Sequence, residues 1–290
     1  MKRLFPVLIV FALLLSGCSA KAPAQIAATT LPVYEFTCRI TDGTGITVTR
    51  LVTESVSCLH DYSLNVNQVK AVESAELIVI SGAGLEDFME DLLQNRPVLD
   101  ASEGVPILEC THSHDHDHDH GHHHETDSHI WLSPANAKIM AANICAGLTD
   151  EYPEYADIFA ENLTVLLADI QSLEDYGNDR LSSLSARDII TFHDGFGYFA
   201  DAFHLHILEA VEEESGAEAS AQELIHLISI VRDHDLPAVF MERNGSASAA
   251  DVICRETGIP QFALDMAMSG ESWFEAPVHF GVAFILAAFS

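Results

Sequence analysis

Short apolar runs that close on glycine or a turn alternate with amphipathic stretches along most of the chain. "GITVTRLV" and "AELIVISGAG" have the β-branched content and the glycine ending of strands buried in a parallel sheet. Between them, "NVNQVKAVESA" places its apolar residues at helical spacing. After "GAG", "LEDFMEDLLQN" predicts a further amphipathic helix, and "PVLDAS" a strand with its loop. This β/α alternation predicts a doubly wound parallel sheet for the first half.

From Pro134 to about Leu184 nearly every residue is a helix former, interrupted at Pro153, which predicts one helix followed by a very long one. "ARDIITFHDGFGYFADAF" then restarts strand, turn and helix. "SAQELIHLISIVRDHDL" reads as a helix, "PAVFME" as a strand, "SASAADVICRETG" as a helix and "IPQFALD" as a strand. The fold class is therefore α/β, with two doubly wound β/α lobes joined by a long helix. The expected divisions are 25–145 for the first lobe, 146–184 for the connecting helix and 185–290 for the second lobe. No internal repeat is supported by residue matching.

The first residues change the picture of where the chain works. "MKRLFPVLIVFALLLSGCSA" has a basic start, an apolar stretch of signal-peptide length and small residues at its end. Residues 1–17 are expected to be removed. "LSGC" resembles a lipobox, which makes Cys18 the lipidated new N-terminus and 18–24 a tether, so the mature chain is expected outside the cytoplasm and anchored to a membrane. Lys+Arg number 13 against 44 Asp+Glu, a formal charge of −31. That balance disfavours nucleic acid and anionic headgroups, whose phosphates need clustered Lys and Arg, and it favours cations. Six cysteines less Cys18 leave Cys38, Cys58, Cys110, Cys145 and Cys254, an odd number with no CxxC pair. At most two disulfides can form within the chain, and a cysteine-built zinc site is disfavoured.

Histidine carries the candidate chemistry. Residues 112–124 hold eight histidines (His112, His114, His116, His118, His120, His122, His123, His124) and three aspartates, with no apolar residue to anchor them. Such a tract can hold zinc loosely in many geometries but cannot define one, and it is expected to be an auxiliary collector or sensor. Fixed ligands come from strand ends and short loops. His60 in "SCLHDYSLN" follows a strand after a short loop, His129 in "DSHIWLSP" precedes the helix at Pro134, and His193 in "IITFHDGFGYF" ends an apolar strand. Open α/β sheets put their ligands at that end. Asp265 in "QFALDMA" ends the last strand. Three imidazoles and one carboxylate suit zinc in tetrahedral geometry. Asp61 and Asp194, each next to a candidate histidine, read equally as hydrogen-bond partners that orient a ligand ring or as surface charges.

These motifs occur together in one family. "LVTESVSCLHDYSLN", "AELIVISGAGLEDFM", "SHIWLSPANAKIMAANI", "TFHDGFGYFADAF", "VFMERNGSASAADVICRETG" and "QFALDMAMSGESWFEA" resemble, in order from about residue 25 to 277, the zinc- and manganese-binding lipoproteins that feed ABC importers. The resemblance implies a rigid connecting helix, a metal site in the inter-lobe cleft, and His60, His129, His193 and Asp265 as its ligands. It implies an ABC permease as partner and a monomer at work. Manganese members carry Glu where this chain has His193, so zinc is expected over manganese. Glu242 in "VFMERNG" matches a family motif as support near the lobe interface rather than as a ligand. Two other classes are weighed: an extracellular zinc buffer or adhesin, and a zinc hydrolase, which the lack of HExxH and a filled fourth position oppose. The tail "VHFGVAFILAAFS" departs from the family's amphipathic ending. A truncated or frame-shifted terminus is the first account of it, a buried helix the second.

Overall fold

The computed structural model describes residues 25–54, 56, 59, 62–109, 126–211, 219–268, 270, 272–275 and 281–289. Cys18, Cys58, His60, Asp61, Cys110 and the histidine tract fall outside them, so the expectations placed on those residues are neither met nor refused here. Among the described residues Cys38, Cys145 and Cys254 are free thiols, and no helix is long and apolar enough to cross a membrane.

Two four-stranded parallel sheets form the frame. The first holds β1 (Gln25–Ala28), β2 (Thr47–Arg50), β3 (Leu77–Ile80) and β4 (Val98–Asp100) in the order β2-β1-β3-β4. The second holds β5 (Asp188–Thr191), β6 (His206–Ala210), β7 (Val239–Glu242) and β8 (Gln261–Leu264) in the order β6-β5-β7-β8. The two orders are the same, so the lobes repeat in topology where they do not repeat in sequence. In each, the strand order reverses between the first strand and the third, and the crevice beyond those carboxyl ends is where such sheets hold ligands.

The helices are α1 (Leu31–Ile40), α2 (Val66–Ser74), α3 (Glu90–Leu93), α4 (Pro134–Glu151), α5 (Ala156–Leu181), α6 (Gly197–Ala202), α7 (Ala221–Asp233), α8 (Ser248–Thr257) and α9 (Gly281–Phe289). Local chemistry sets their starts. Asn65 and Gln68 form a capping box on α2, Ser220 and Glu223 do the same on α7, and Ser133 caps α4 with Pro134 at its first turn. One expectation fails: "LEDFMEDLLQN" gives a 3₁₀ turn, Asp87–Met89, and a single α-turn, α3, rather than an amphipathic helix. The cause is tertiary. Glu86 is turned inward to accept hydrogen bonds from Ser81 and Gly82 N–H at 2.8 and 3.0 Å, and Asn95 closes the segment at φ +62°.

The range 146–184 holds the end of α4 and the whole of α5. The long helix α5 is fastened to both lobes. Asn162 Nδ2 donates to the carbonyls of Ile40 and Asp42 at 2.9 and 3.0 Å, and Arg39 reaches Asp169 at 2.7 Å. Further along, Gly177 lets the Phe203 ring lie against the helix, where a Cβ would meet ring carbons at 2.2 Å. Helix α9, residues 281–289 of the apolar tail, packs on α5 and β8 with Val282 and Ile285 buried. The largest apolar cluster runs from Ile26 to Ile285 through both lobes, and a smaller separate cluster lies in each lobe. A shared core of that kind resists wide hinge opening, because interiors are close-packed and do not deform smoothly.

Candidate metal centre

His129 sits between two anchors. Before it, Asp127 turns back on the chain: its Oδ1 accepts from both the backbone N–H and the ring Nδ1 of His129, each at 2.9 Å. Beyond it, Trp131 is fully buried and donates its Nε1–H to the carbonyl of Met266 at 2.7 Å, while Trp273 Nε1 donates to the Trp131 carbonyl at 3.2 Å. A carboxylate can only accept, so the proton of the neutral ring is on Nδ1 and the lone pair on Nε2. That Nε2 is buried and has no hydrogen-bond partner among the described residues. A buried, oriented nitrogen of this kind is what a metal ion completes.

His193 follows β5 by two residues and meets His129 edge to face, ring centroids 5.2 Å apart. Gly195 makes the approach possible. A Cβ there would lie 2.8 Å from His129 Nδ1, 2.7 Å from His193 Cδ2 and 2.4 Å from Met266 Cε, distances no side chain tolerates. Glu242, buried at the end of β7, puts its Oε2 3.9 Å from His193 Nδ1. Asp265 follows β8 directly. Its Oδ1 accepts from Ala267 N–H at 2.8 Å, and its Oδ2 faces Arg243 Nη1 at 3.3 Å.

The structure thus brings His129 and His193 into contact and fixes Asp265 on the neighbouring loop through Met266. Among the described residues no three His, Cys, Asp or Glu side chains are closed around a common point, and His60 lies outside them. The candidate ligands that are described come from just past β5 and β8 and from the turn before α4; His129 and His193 meet, while Asp265 is placed against Arg243 and the Ala267 N–H. Asp127 and Arg243 are additions that the sequence reading lacks. An aspartate two residues before a candidate ligand was the available signal for the first; nothing in "MERNG" marks the second.

Beside the site runs an open groove of about 570 Å³ whose lining includes Glu109, Asp127, Asp194, Asp201 and Glu209. Glu109 and Thr126, which flank the histidine tract on either side, pair across an antiparallel bridge at its rim. The lining is anionic and raises the local concentration of cations next to the two imidazoles.

A family model described as the periplasmic zinc-uptake complex component A, ZnuA, matches residues 26–275. The chain belongs to the ZnuA family. Its relatives include the high-affinity zinc uptake system protein ZnuA of Haemophilus ducreyi, 29% identical over 278 residues that cover 88% of this chain and 89% of that one. The manganese-binding lipoprotein MntA of Halalkalibacterium halodurans is 25% identical over 202 residues, 69% of this chain and 65% of MntA, just under two thirds of that protein's length. Among solved structures, a ZnuA deletion mutant with zinc bound superposes with a TM-score of 0.77 at 27% identity, covering 92% of this chain and 98% of that one. The two-lobed fold with its long central helix is that of the ZnuA structures.

Proposed function

We propose that this chain captures zinc at the lobe boundary and delivers it to an ABC-type membrane importer. The observation that carries the reading is His129: its Nδ1 is held by Asp127 and its buried Nε2 has no hydrogen-bond partner among the described residues. His193 against it, Asp265 on the next loop and His60 complete the proposed ligand set, three imidazoles and a carboxylate suited to zinc. Zinc arriving at the anionic groove exchanges its waters for these groups. The shared core and the doubly fastened α5 leave small lobe shifts and loop ordering, rather than wide closure, to signal the loaded state. The family is one of uptake components, and the chain is a binding protein rather than an enzyme.

The finer parts of the reading are these. Cys18 carries lipid and holds the mature chain at the outer side of a membrane, where it acts as a monomer. The tract His112, His114, His116, His118, His120, His122, His123 and His124 collects zinc loosely and passes it to the fixed site. Manganese is the lesser cargo, because an imidazole at 193 suits zinc better than a carboxylate-rich site would.

Zinc affinity by chelator competition, on the mature chain and on one lacking residues 112–124, tests the reading. One tight zinc that survives the deletion and disappears in His193→Ala supports it. Loss of the tight zinc with the tract would place the site in the tract and make the chain a zinc buffer.

A further inference from the structure

We propose that Arg243 is an internal cation that occupies Asp265 in the unloaded chain and is displaced by the incoming metal. The inference rests on the reading of Asp265 as a ligand. Its basis is the way the second sheet ends. Strands β7 and β8 pair in parallel with Glu242 opposite Leu264, and the Arg243 N–H donates to the Leu264 carbonyl at 2.8 Å. The ladder therefore delivers the residue after β7 and the residue after β8 side by side, and these are Arg243 and Asp265.

Their side chains meet at 3.3 Å, Nη1 to Oδ2, while the other oxygen of Asp265 takes the Ala267 N–H at 2.8 Å. Both carboxylate oxygens are engaged before any metal arrives. A zinc–oxygen bond is about 2.0–2.2 Å long, so a bound dication and a guanidinium on the same carboxylate would be held close together with like charge. The environments of the two partners decide which one moves. The Asp265 side chain is 15% exposed and anchored by the Ala267 N–H, whereas that of Arg243 is 45% exposed and reaches the surface.

Two consequences follow. The arginine pairs the charge of a largely buried carboxylate, and it sets a threshold that weakly attracted cations must exceed. It also stands ready to reclaim Asp265 when zinc leaves, which speeds release to a permease. A carrier that must give up its cargo gains from both.

The test uses the full mature chain and Zn²⁺ alone, comparing wild type, Arg243→Gln, Asp265→Asn and the double variant. Affinity is read by chelator competition and dissociation by mixing with excess EDTA; melting curves check that each variant folds. Arg243→Gln is expected to bind the tight zinc about three- to tenfold more strongly, as for a partly exposed ion pair removed from competition. Its zinc should also dissociate more slowly, and both gains should vanish in the Asp265→Asn background. An unchanged or weakened affinity in Arg243→Gln overturns the proposal; weakening would mean that the arginine positions the carboxylate instead. An equal gain with and without Asp265 overturns it as well, since Arg243 would then act only as a general charge. Asp265→Asn binding zinc as tightly as wild type is a separate result, which removes the ligand assignment and the proposal with it.

Discussion

At the point between β1 and β3 where the first sheet reverses its strand order, the chain buries a carboxylate of its own; at the matching point between β5 and β7 it presents an imidazole. Glu86 fills the first. It accepts from the Thr29 hydroxyl at 2.6 Å, from Ser81 N–H at 2.8 Å and from Gly82 N–H at 3.0 Å, so the donors that usually greet a ligand at a strand end are already used. Thr30 and Ser81 share a further bond at 2.8 Å. The second reversal holds His193 and Glu242, with Gly195 clearing space for His129. One topology therefore serves two ends. The first lobe's crevice is sealed to make a firm floor, and that floor reaches across to the other lobe where Leu31 N–H meets the Met268 carbonyl at 3.3 Å. The second lobe's crevice instead carries the candidate ligand His193.

The comparison breaks if metal binding does not follow the second reversal point. His193→Ala is expected to weaken the tight zinc about a thousandfold, on the order of 4 kcal/mol, as read by chelator competition. A loss smaller than tenfold would mean that the imidazole there is structural, like Glu86. The first reversal point should behave the other way round. Glu86→Ala leaves one hydroxyl and two backbone N–H groups without their acceptor in a buried place, a cost of about 3 kcal/mol in urea unfolding. Its zinc affinity should stay within about threefold of wild type, since the effect acts on the whole fold and not on the ligands.

Much of this plan was legible in the sequence because buried parallel strands must be apolar. "LIVI" and "VFME" announced β3 and β7, and His193 and Asp265 do stand just past strand ends, as their motifs predict. The elements that were missed have physical reasons. "QIAA" is a four-residue strand half made of alanine, a weak strand former, and only its central place in the sheet makes it one. "HILEA" is an edge strand, exposed or half-exposed over most of its length, so it lacks the apolar run that marks its neighbours. The false helix over "LEDFMEDLLQN" failed because Glu86 serves the sheet end and not a helix face. Asp127 was hidden by the acidic tract that precedes it. The pairing of Arg243 with Asp265 depends on the β7–β8 register, which no local pattern encodes.

A finer separation comes from the partner of the other imidazole. Asp127→Asn keeps an oxygen for the backbone N–H of His129 but removes the charge that holds the ring proton on Nδ1. Partners of metal-bound histidines of this kind are worth tenfold to a hundredfold in affinity. The expected outcome is a loss in that range in a zinc titration, with a melting temperature close to that of wild type without metal. A lowered melting temperature with unchanged zinc binding would make Asp127 a turn-former only.

The smallest effect concerns pH and the carboxylate at the first reversal point. Burial pushes Glu86 up to about 7, although the bonds from Thr29, Ser81 and Gly82 pull the other way, and Asp100 adds a smaller push upward. In the unfolded chain the same group titrates in the ordinary carboxylate range, near 4.5. Between those values the folded state holds a proton that the unfolded state has lost. The contribution is therefore fully present below the unfolded value, declines as pH rises, and is gone once pH passes through about 7. Glu86→Gln cannot ionise and should lack this slope. Urea unfolding in the presence of EDTA, which removes metal linkage, should show wild type losing about 1 kcal/mol relative to Glu86→Gln between pH 6 and 7.5. Parallel pH profiles would mean that the three donors keep Glu86 ionised throughout, and the first crevice would then be sealed by a charge rather than by a protonated acid.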